Sequence, residues 1–145
     1  MVRQEQEAFV FGTLFLLANR MQVWGDSLLP EITTKQLFLL IFILNMDMET
    51  PSIKEIACFT GTSRQNTKKL LEQLESKGFV SLSKSPTDAR ATIVSFTDKT
   101  ARYFQEQDQF STEQMSLLFH QVTDEELECT MNVIHKMLAF LESTQ

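Results

Sequence analysis

A chain of 145 residues has the usual length of one compact domain, and its 43% apolar residues suffice for a packed core. Four glycines and three prolines supply too little turn chemistry for a many-stranded sheet, so long helices are expected. The formal net charge of −6 argues, taken alone, against a polyanionic partner.

An apolar stretch near the N-terminus, Ala8 to Ala18, has neither the length of a membrane span nor the flanks of an export signal. Its eleven residues fall short of the roughly twenty that cross a bilayer. Glu5 and Glu7 stand where a signal peptide carries positive charge. We therefore expect a soluble, cytoplasmic protein with no membrane partner.

The first predicted helix runs from about Gln4 to Trp24 and is apolar on two sides. One apolar row consists of Phe11, Leu14, Ala18 and Met21, and the other of Phe9, Leu16, Val23 and Trp24. Such a helix must be covered on both sides, and in a small chain the second cover is often another subunit.

Capping boxes predict where the next two helices begin. Thr33 and Gln36 form the first, directly before the unbroken apolar run 37–44. Periodicity alone fits this run to a buried helix or to a buried strand, and the cap favours the helix. Ser52 and Glu55 form the second box and open a short helix.

A tight turn containing Gly61 leads into the following helix. Thr62 and Gln65 form a third capping box, with Ser63 as an alternative N-cap, and Gly78 follows as a C-cap. The apolar side of this helix carries Thr67, Leu70, Leu71 and Leu74. Its polar side carries Arg64, Gln65, Lys68, Lys69 and Gln73.

Two short strands are predicted next, at 79–84 and 92–96, because apolar and polar residues alternate there. The segment 85–88 between them has the composition of a turn. A β-hairpin with a long, polar and basic tip, which begins after Lys84, is therefore expected.

Two helices complete the chain. A weakly patterned one runs from Asp98 to about Gln121, and a capping box of Thr123 and Glu126 opens the last. The last helix carries a heptad-like apolar seam of Leu127, Met131, Ile134, Leu138 and Leu141.

A short helix, a tight turn, a second helix with a polar N-terminal side and a hairpin are together typical of a winged helix-turn-helix. There the second helix enters the major groove, where Arg suits guanine, Gln or Asn suits adenine, and Ser or Thr suits either. Basic residues further along neutralise phosphates. In this helix the predicted DNA-binding residues are Thr62, Ser63, Arg64, Gln65, Asn66, Lys68 and Lys69, and Lys84 of the hairpin is predicted to join them.

The charge distribution agrees with a DNA-binding middle segment. Lys54 to Arg90 holds seven basic and four acidic residues, whereas the rest of the chain holds six basic and fifteen acidic residues. A basic segment between acidic flanks suits a protein that meets phosphate on one face, although such a charge pattern can also serve solubility alone.

Four stretches of sequence carry a family resemblance. They are Ile53–Ala57, Leu70–Val80, Pro86–Ala91 and Val94–Thr97. The Asp-x-Arg motif of the third, after the Leu-Glu-x-Lys-Gly-Phe-Val turn of the second, is fairly specific. With these stretches the chain resembles the MarR family of winged helix-turn-helix regulators, from the helix opened by Thr33 to the C-terminal helix.

The resemblance implies roles for particular residues. Arg90 resembles the wing arginine that enters the minor groove, and Asp88 resembles the acid that holds the wing in shape. Gln65, Asn66 and Lys69 fall where such proteins touch the major groove. This wing is less basic than many, because Ala89 stands where a second arginine is frequent and Ser81 and Leu82 stand where a charged pair is usual. After the hairpin, Thr100 replaces a frequent glycine.

The expected fold class is mainly α with a small β-hairpin wing, a winged helix-turn-helix with dimerisation helices from both termini. We expect a single domain, with dimerisation helices in 1–32 and 100–145 and a DNA-binding lobe in 33–99. The resemblance implies a homodimer on double-stranded DNA with a near-palindromic operator. The predicted dimerisation residues are Phe11, Leu14 and Ala18, with Leu127, Met131, Ile134, Leu138 and Leu141.

The sequence leaves the identity of the effector open, since members of the MarR family respond to a small ligand, an oxidant or a metal. A small apolar or aromatic ligand is compatible with the chain, and no cofactor is expected. Cys58 and Cys129 lack paired spacing, which excludes a disulfide scaffold; structural thiols are commoner than redox switches. His120 and His135 form neither a metal motif nor a catalytic constellation, so we expect neither a metal site nor an enzyme.

Two functions therefore remain after the sequence analysis. The first is a ligand-responsive, DNA-binding regulator, most simply a repressor. The alternative is a winged-helix interaction module that does not bind DNA, which the acidic total charge and the weakly basic wing favour.

Overall fold

The computed structural model describes residues 2–144, where the chain forms six helices and one two-stranded antiparallel sheet. The elements in chain order are α1 (Arg3–Leu28), α2 (Thr34–Asn45), α3 (Ile53–Thr60), α4 (Arg64–Ser76), β1 (Val80–Lys84), β2 (Thr92–Phe96), α5 (Asp98–Leu118) and α6 (Asp124–Ser143). The predicted fold class, mainly helical with a hairpin wing, is confirmed. Within residues 2–144, every helix falls short of the combined length and apolarity that crossing a bilayer requires.

Side-chain caps start the helices at the positions that the sequence indicates. Thr33, Ser52 and Thr123 each accept the backbone N–H of the residue three positions later, and the Gln or Glu there bonds back to the N-cap N–H. At α4 the N-cap is Ser63, which accepts from the N–H of Asn66 at 3.2 Å. The alternative N-cap is therefore the right one, and the Thr62 capping box is wrong.

The chain divides into two compact units, Met1–Arg102 and Tyr103–Gln145. In the first unit, α2, α3, α4 and the hairpin pack around one apolar core. Its buried side chains include Leu39, Leu40, Ile43, Ile56, Ala57, Leu71, Leu74, Phe79, Val80 and Val94. This core fixes α3, α4 and the hairpin relative to one another.

Element ends differ from the predictions for local reasons. Helix α1 extends four residues further, to Leu28, and stops because Pro30 forces the preceding Leu29 into an extended conformation. Strand β1 begins at Val80, not at Phe79, whose N–H bonds back to the Leu74 carbonyl at 2.9 Å as part of the α4 C-terminus. The C-cap of α4 is Lys77, and Gly78 follows it in a left-handed conformation.

Candidate nucleic-acid interface

The turn between α3 and α4 depends on the left-handed conformation of Gly61, whose φ is +66°. Its N–H bonds to the Cys58 carbonyl at 3.3 Å, and the next N–H, of Thr62, bonds to the Ala57 carbonyl at 3.1 Å. These bonds satisfy the last carbonyls of α3 and reverse the chain within three residues. Helix α4 therefore begins directly beside the end of α3.

A chain of hydroxyl groups locks this turn to α4. Thr60 Oγ1 donates to the Ile56 carbonyl at 2.8 Å and lies 2.9 Å from Thr62 Oγ1. The buried Thr67 Oγ1 donates to the Ser63 carbonyl at 3.0 Å and also lies 2.9 Å from Thr62 Oγ1. Because Thr60 and Thr67 each donate to a carbonyl, the single hydroxyl proton of Thr62 is shared between these two contacts, and Thr62 keeps only acceptor capacity for a partner outside the protein.

Helix α4 is anchored on one side and open on the other. Thr67, Leu71 and Leu74 are buried, the last two completely. On the opposite side Lys68 forms only a loose pair with Glu72, at 3.6 Å, so its charge is still available. The exposed residues of the turn and the first part of the helix are Thr62, Ser63, Arg64, Gln65, Asn66, Lys68 and Lys69.

Two residues that the sequence assigned to basic or polar surface instead bond within the first unit. Lys77 Nζ donates to the Glu31 carbonyl at 2.7 Å and to Gln36 Oε1 at 3.0 Å. Gln36 Nε2 in turn donates to Gln73 Oε1 at 2.9 Å. Lys77 therefore does not belong to the charge offered to a partner, and Gln73, although it stays exposed, is held by this network.

The tip of the hairpin is ordered by its own hydrogen bonds. Asp88 Oδ1 accepts the N–H of Arg90 at 3.0 Å, and the Asp88 carbonyl accepts the N–H of Ala91 at 3.0 Å. Ser85 Oγ accepts the N–H groups of Thr87 and Asp88, each at 3.3 Å. These bonds fix the backbone around Arg90 while its side chain, like those of Lys84 and Asp88, stays exposed.

Both outer edges of the hairpin are tied to the helix-turn-helix. On β1, the N–H of Leu82 donates to Glu75 Oε2, a side chain of α4, at 2.6 Å. On β2, the N–H of Val94 donates to the Pro51 carbonyl at 2.9 Å, and Ile93 bridges Ser52 at the start of α3. The sequence analysis did not single out Glu75, because a contact seven residues away across a turn leaves no periodic signal.

The predicted dimerisation residues of the first unit lie on α1 and all are exposed. They are Phe11, Leu14 and Ala18. No residue of α1 is buried among those described.

The predicted dimerisation residues of the second unit lie on α6 and are likewise exposed. They are Leu127, Met131, Ile134, Leu138 and Leu141. Helix α6 also contributes no buried residue in the described part of the chain. Each of the two helices therefore presents an exposed apolar face within residues 2–144.

The cysteines considered for sensing are accessible to solvent. Cys58 and Cys129 are both exposed free thiols. Among residues 2–144, no group of three or more His, Cys, Asp or Glu side chains is arranged to hold a metal ion.

Glu55 is the N-terminal carboxylate of α3 and bonds to the cap of its own helix. It accepts the Ser52 N–H at 2.7 Å, while Ser52 Oγ accepts the Glu55 N–H at 3.2 Å. Hydrogen bonding from the Ser52 backbone, then from its side chain, lowers the pKa of Glu55 below the ordinary 4.5. Its negative charge therefore persists at the helix N-terminus, where it is favourable.

Solved structures share this architecture over nearly the whole chain. A MarR protein from Peptoclostridium difficile has a TM-score of 0.82 at 18% identity, with 99% of this chain and 94% of that chain covered. S. aureus MepR, solved as a complex with DNA, has a TM-score of 0.78 at 22% identity, with 90% and 97% covered.

A third solved structure is Bordetella bronchiseptica BpsR, whose DNA binding is regulated by 6-hydroxynicotinic acid. It has a TM-score of 0.72 at 19% identity, with 87% of this chain and 91% of that chain covered. At these identities the likeness establishes the fold.

Comparison by sequence supports the resemblance to a known family. No match is found among curated proteins, but the model of the MarR family matches residues 32–92. That segment runs from the end of the α1–α2 connection to the start of β2 and holds the helix-turn-helix and the wing tip. Residues 32–92 of this chain thus match the model of the MarR family, as the resemblance in the sequence indicated.

Proposed function

We propose that this chain is a sequence-specific, DNA-binding transcriptional regulator that acts as a homodimer. The observation that carries the proposal is that α4 is buried on one side and polar and exposed on the other. Its buried Thr67, Leu71 and Leu74 fix it to the lobe, while its other side is polar and exposed at the N-terminal end. A helix held in this way can enter the major groove without disturbing the core.

The exposed residues of α4 differ in the kind of DNA contact that their chemistry suits. Arg64 suits a bidentate contact to guanine, and Gln65 and Asn66 suit contacts to adenine. Lys68 and Lys69 neutralise phosphates, which positions the helix without reading sequence. Ser63 combines a contact to DNA with its role as N-cap, and its position at a helix N-terminus favours a phosphate.

The wing supplies the second contact. The backbone bonds around Asp88 hold Arg90 at the tip with its side chain exposed, which is the arrangement that an arginine in the minor groove requires. Lys84 stands at the other end of the tip and adds charge toward the backbone phosphates.

The dimer follows from the uncovered apolar faces of α1 and α6. A helix with no buried residue and several half-exposed aromatic or branched side chains is stable when a partner covers it. A two-fold pair presents the same reading surface twice, so the operator is near-palindromic, with half-sites about 34–36 Å apart.

Regulation by a small apolar or aromatic molecule fits a protein of this family. The regulated DNA binding of BpsR supports the proposal by analogy only. We propose repression as the sign of regulation and the cytoplasm as its location.

The experiment selects duplexes from a random library with the purified chain and measures affinity by fluorescence anisotropy across salt concentrations. We expect affinity to fall steeply with salt, Arg90→Ala to weaken binding about tenfold, and Lys69→Ala to lower the salt slope by about one. Arg102→Ala, at an exposed arginine of α5 outside the interface, is the charge-matched control. Absence of salt-sensitive binding to any duplex contradicts the proposal and favours the interaction module.

A further inference from the structure

The wing is held at both of its outer edges, but by different chemistry. The β2 edge is tied to the start of α3 by the backbone bond from Val94 to the Pro51 carbonyl. The β1 edge is tied to α4 by one side chain, Glu75, which accepts the N–H of Leu82 at 2.6 Å. The first tie is independent of side-chain identity, whereas the second depends on one carboxylate.

The Glu75 carboxylate lies beside the short connection between α4 and β1, whose backbone is fixed by hydrogen bonds. Only residues 77–79 separate α4 from β1, and the N–H groups of Gly78 and Phe79 bond to the carbonyls of Glu75 and Leu74, each at 2.9 Å. These bonds fix how the chain leaves the helix. The Glu75 side chain then reaches across the turn and holds β1 at its third residue, Leu82.

A carboxylate in a DNA-binding lobe opposes binding by charge alone, because it repels phosphate. Glu72, one turn earlier on the same helix, makes only a loose pair with Lys68 at 3.6 Å. Glu75 differs from it by a short hydrogen bond to a backbone N–H; this bond is exposed, but it is charge-assisted and therefore of the stronger kind.

We propose that Glu75 is a positioning residue that sets the wing against α4, so that Arg90 and the polar side of α4 engage one duplex together. This inference rests on the proposed function. It predicts that removing the hydrogen-bond acceptor at position 75 weakens DNA binding even though it also removes a negative charge.

The experiment compares two substitutions of equal charge. Glu75→Gln keeps an oxygen that accepts the Leu82 N–H, and Glu75→Ala does not. Glu72→Gln and Glu72→Ala are the matched controls, because they change the same charge and the same side chains on the same helix. For all four variants, affinity for a selected duplex and hydrogen exchange of the Leu82 amide are measured, with thermal unfolding as the check on folding.

We expect Glu75→Ala to bind about tenfold more weakly than Glu75→Gln, a loss of about 1.4 kcal/mol, and to exchange the Leu82 amide faster. The two Glu72 variants should agree with each other within about twofold. Arg90→Ala should cost less in the Glu75→Ala background than in wild type, because a released wing no longer places the arginine.

Equal affinity of the Glu75→Ala and Glu75→Gln variants overturns the inference, whatever the exchange of Leu82. So does an unchanged cost of Arg90→Ala in the Glu75→Ala background. Failure of the proposed function has a different signature: the wild-type chain then binds no duplex, while exchange of the Leu82 amide still reports the bond to Glu75.

Discussion

Replacing the buried Thr67 by valine tests the hydroxyl chain that joins the turn to α4. The two side chains have nearly the same shape, so the substitution removes hydrogen bonds without opening a cavity. It eliminates the 3.0 Å bond to the Ser63 carbonyl and the 2.9 Å contact with Thr62 Oγ1. Because each net hydrogen bond contributes about 0.5–1.5 kcal/mol, the free energy of unfolding should fall by about 1–2 kcal/mol.

Thr130→Val is the matched control for this substitution. Thr130 is exposed on α6, and its hydroxyl donates to the carbonyl four residues earlier, that of Glu126, at 2.7 Å. Water replaces that bond at little cost, so the control should change stability by less than about 0.5 kcal/mol.

Urea unfolding of wild type and both variants at one protein concentration measures the difference. Concentration must be held constant, because assembly adds to apparent stability. If Thr67→Val is no more destabilising than Thr130→Val, the hydroxyl chain does not hold the turn and the reasoning is refuted.

Three further predictions follow from contacts elsewhere in the chain. A Cβ at Gly25 would collide with Thr34 Oγ1, so Gly25→Ala should lower the free energy of thermal unfolding by about 1–2 kcal/mol. The control Gly12→Ala should not, because the added Cβ meets no neighbouring atom within 4 Å, and equal effects of the two substitutions contradict the close approach of α1 and α2. Because the pKa of Glu55 is lowered in the fold, its ionised form stabilises the protein above the ordinary pKa of 4.5, and this stabilisation is lost as pH falls through the lowered pKa. In acid denaturation the difference in unfolding free energy between wild type and Glu55→Gln should therefore shrink as pH falls, and a difference that stays constant with pH is the contrary result. Ile134→Asp, in the exposed seam of α6, should turn the proposed dimer into a monomer in sedimentation velocity, and a surviving dimer argues against that interface.

The parts of this fold that are local in sequence are predictable from it. Thr33, Ser52 and Thr123 cap helices because capping needs only residues three positions apart. The choice between Thr62 and Ser63 illustrates the limit of such reasoning. Both residue types are favoured at an N-cap, and only Thr62 completes a capping box in the sequence, with Gln65. In the fold the Thr62 hydroxyl instead contacts the hydroxyls of Thr60 and Thr67, contacts that a local rule does not contain.

The parts of the interface that depend on distant partners were not predictable. Lys77 and Gln73 read as surface residues, yet both bond into a network around Gln36, about forty positions away. Thr100 read only as a departure from the family's usual residue. In the fold it is buried, and its hydroxyl donates to the Phe79 carbonyl at 2.5 Å, which fastens the start of α5 to the base of the wing.

The central claim is that the exposed polar side of α4 enters the major groove, and dimethyl sulfate protection of guanine N7 in a selected duplex tests it most directly. The reagent methylates N7 at the floor of that groove, where Arg64 is expected to bind. The account predicts protected guanines in two half-sites one helical turn apart, and loss of that protection in Arg64→Ala at saturating protein. Tight binding with every guanine N7 still reactive would contradict it.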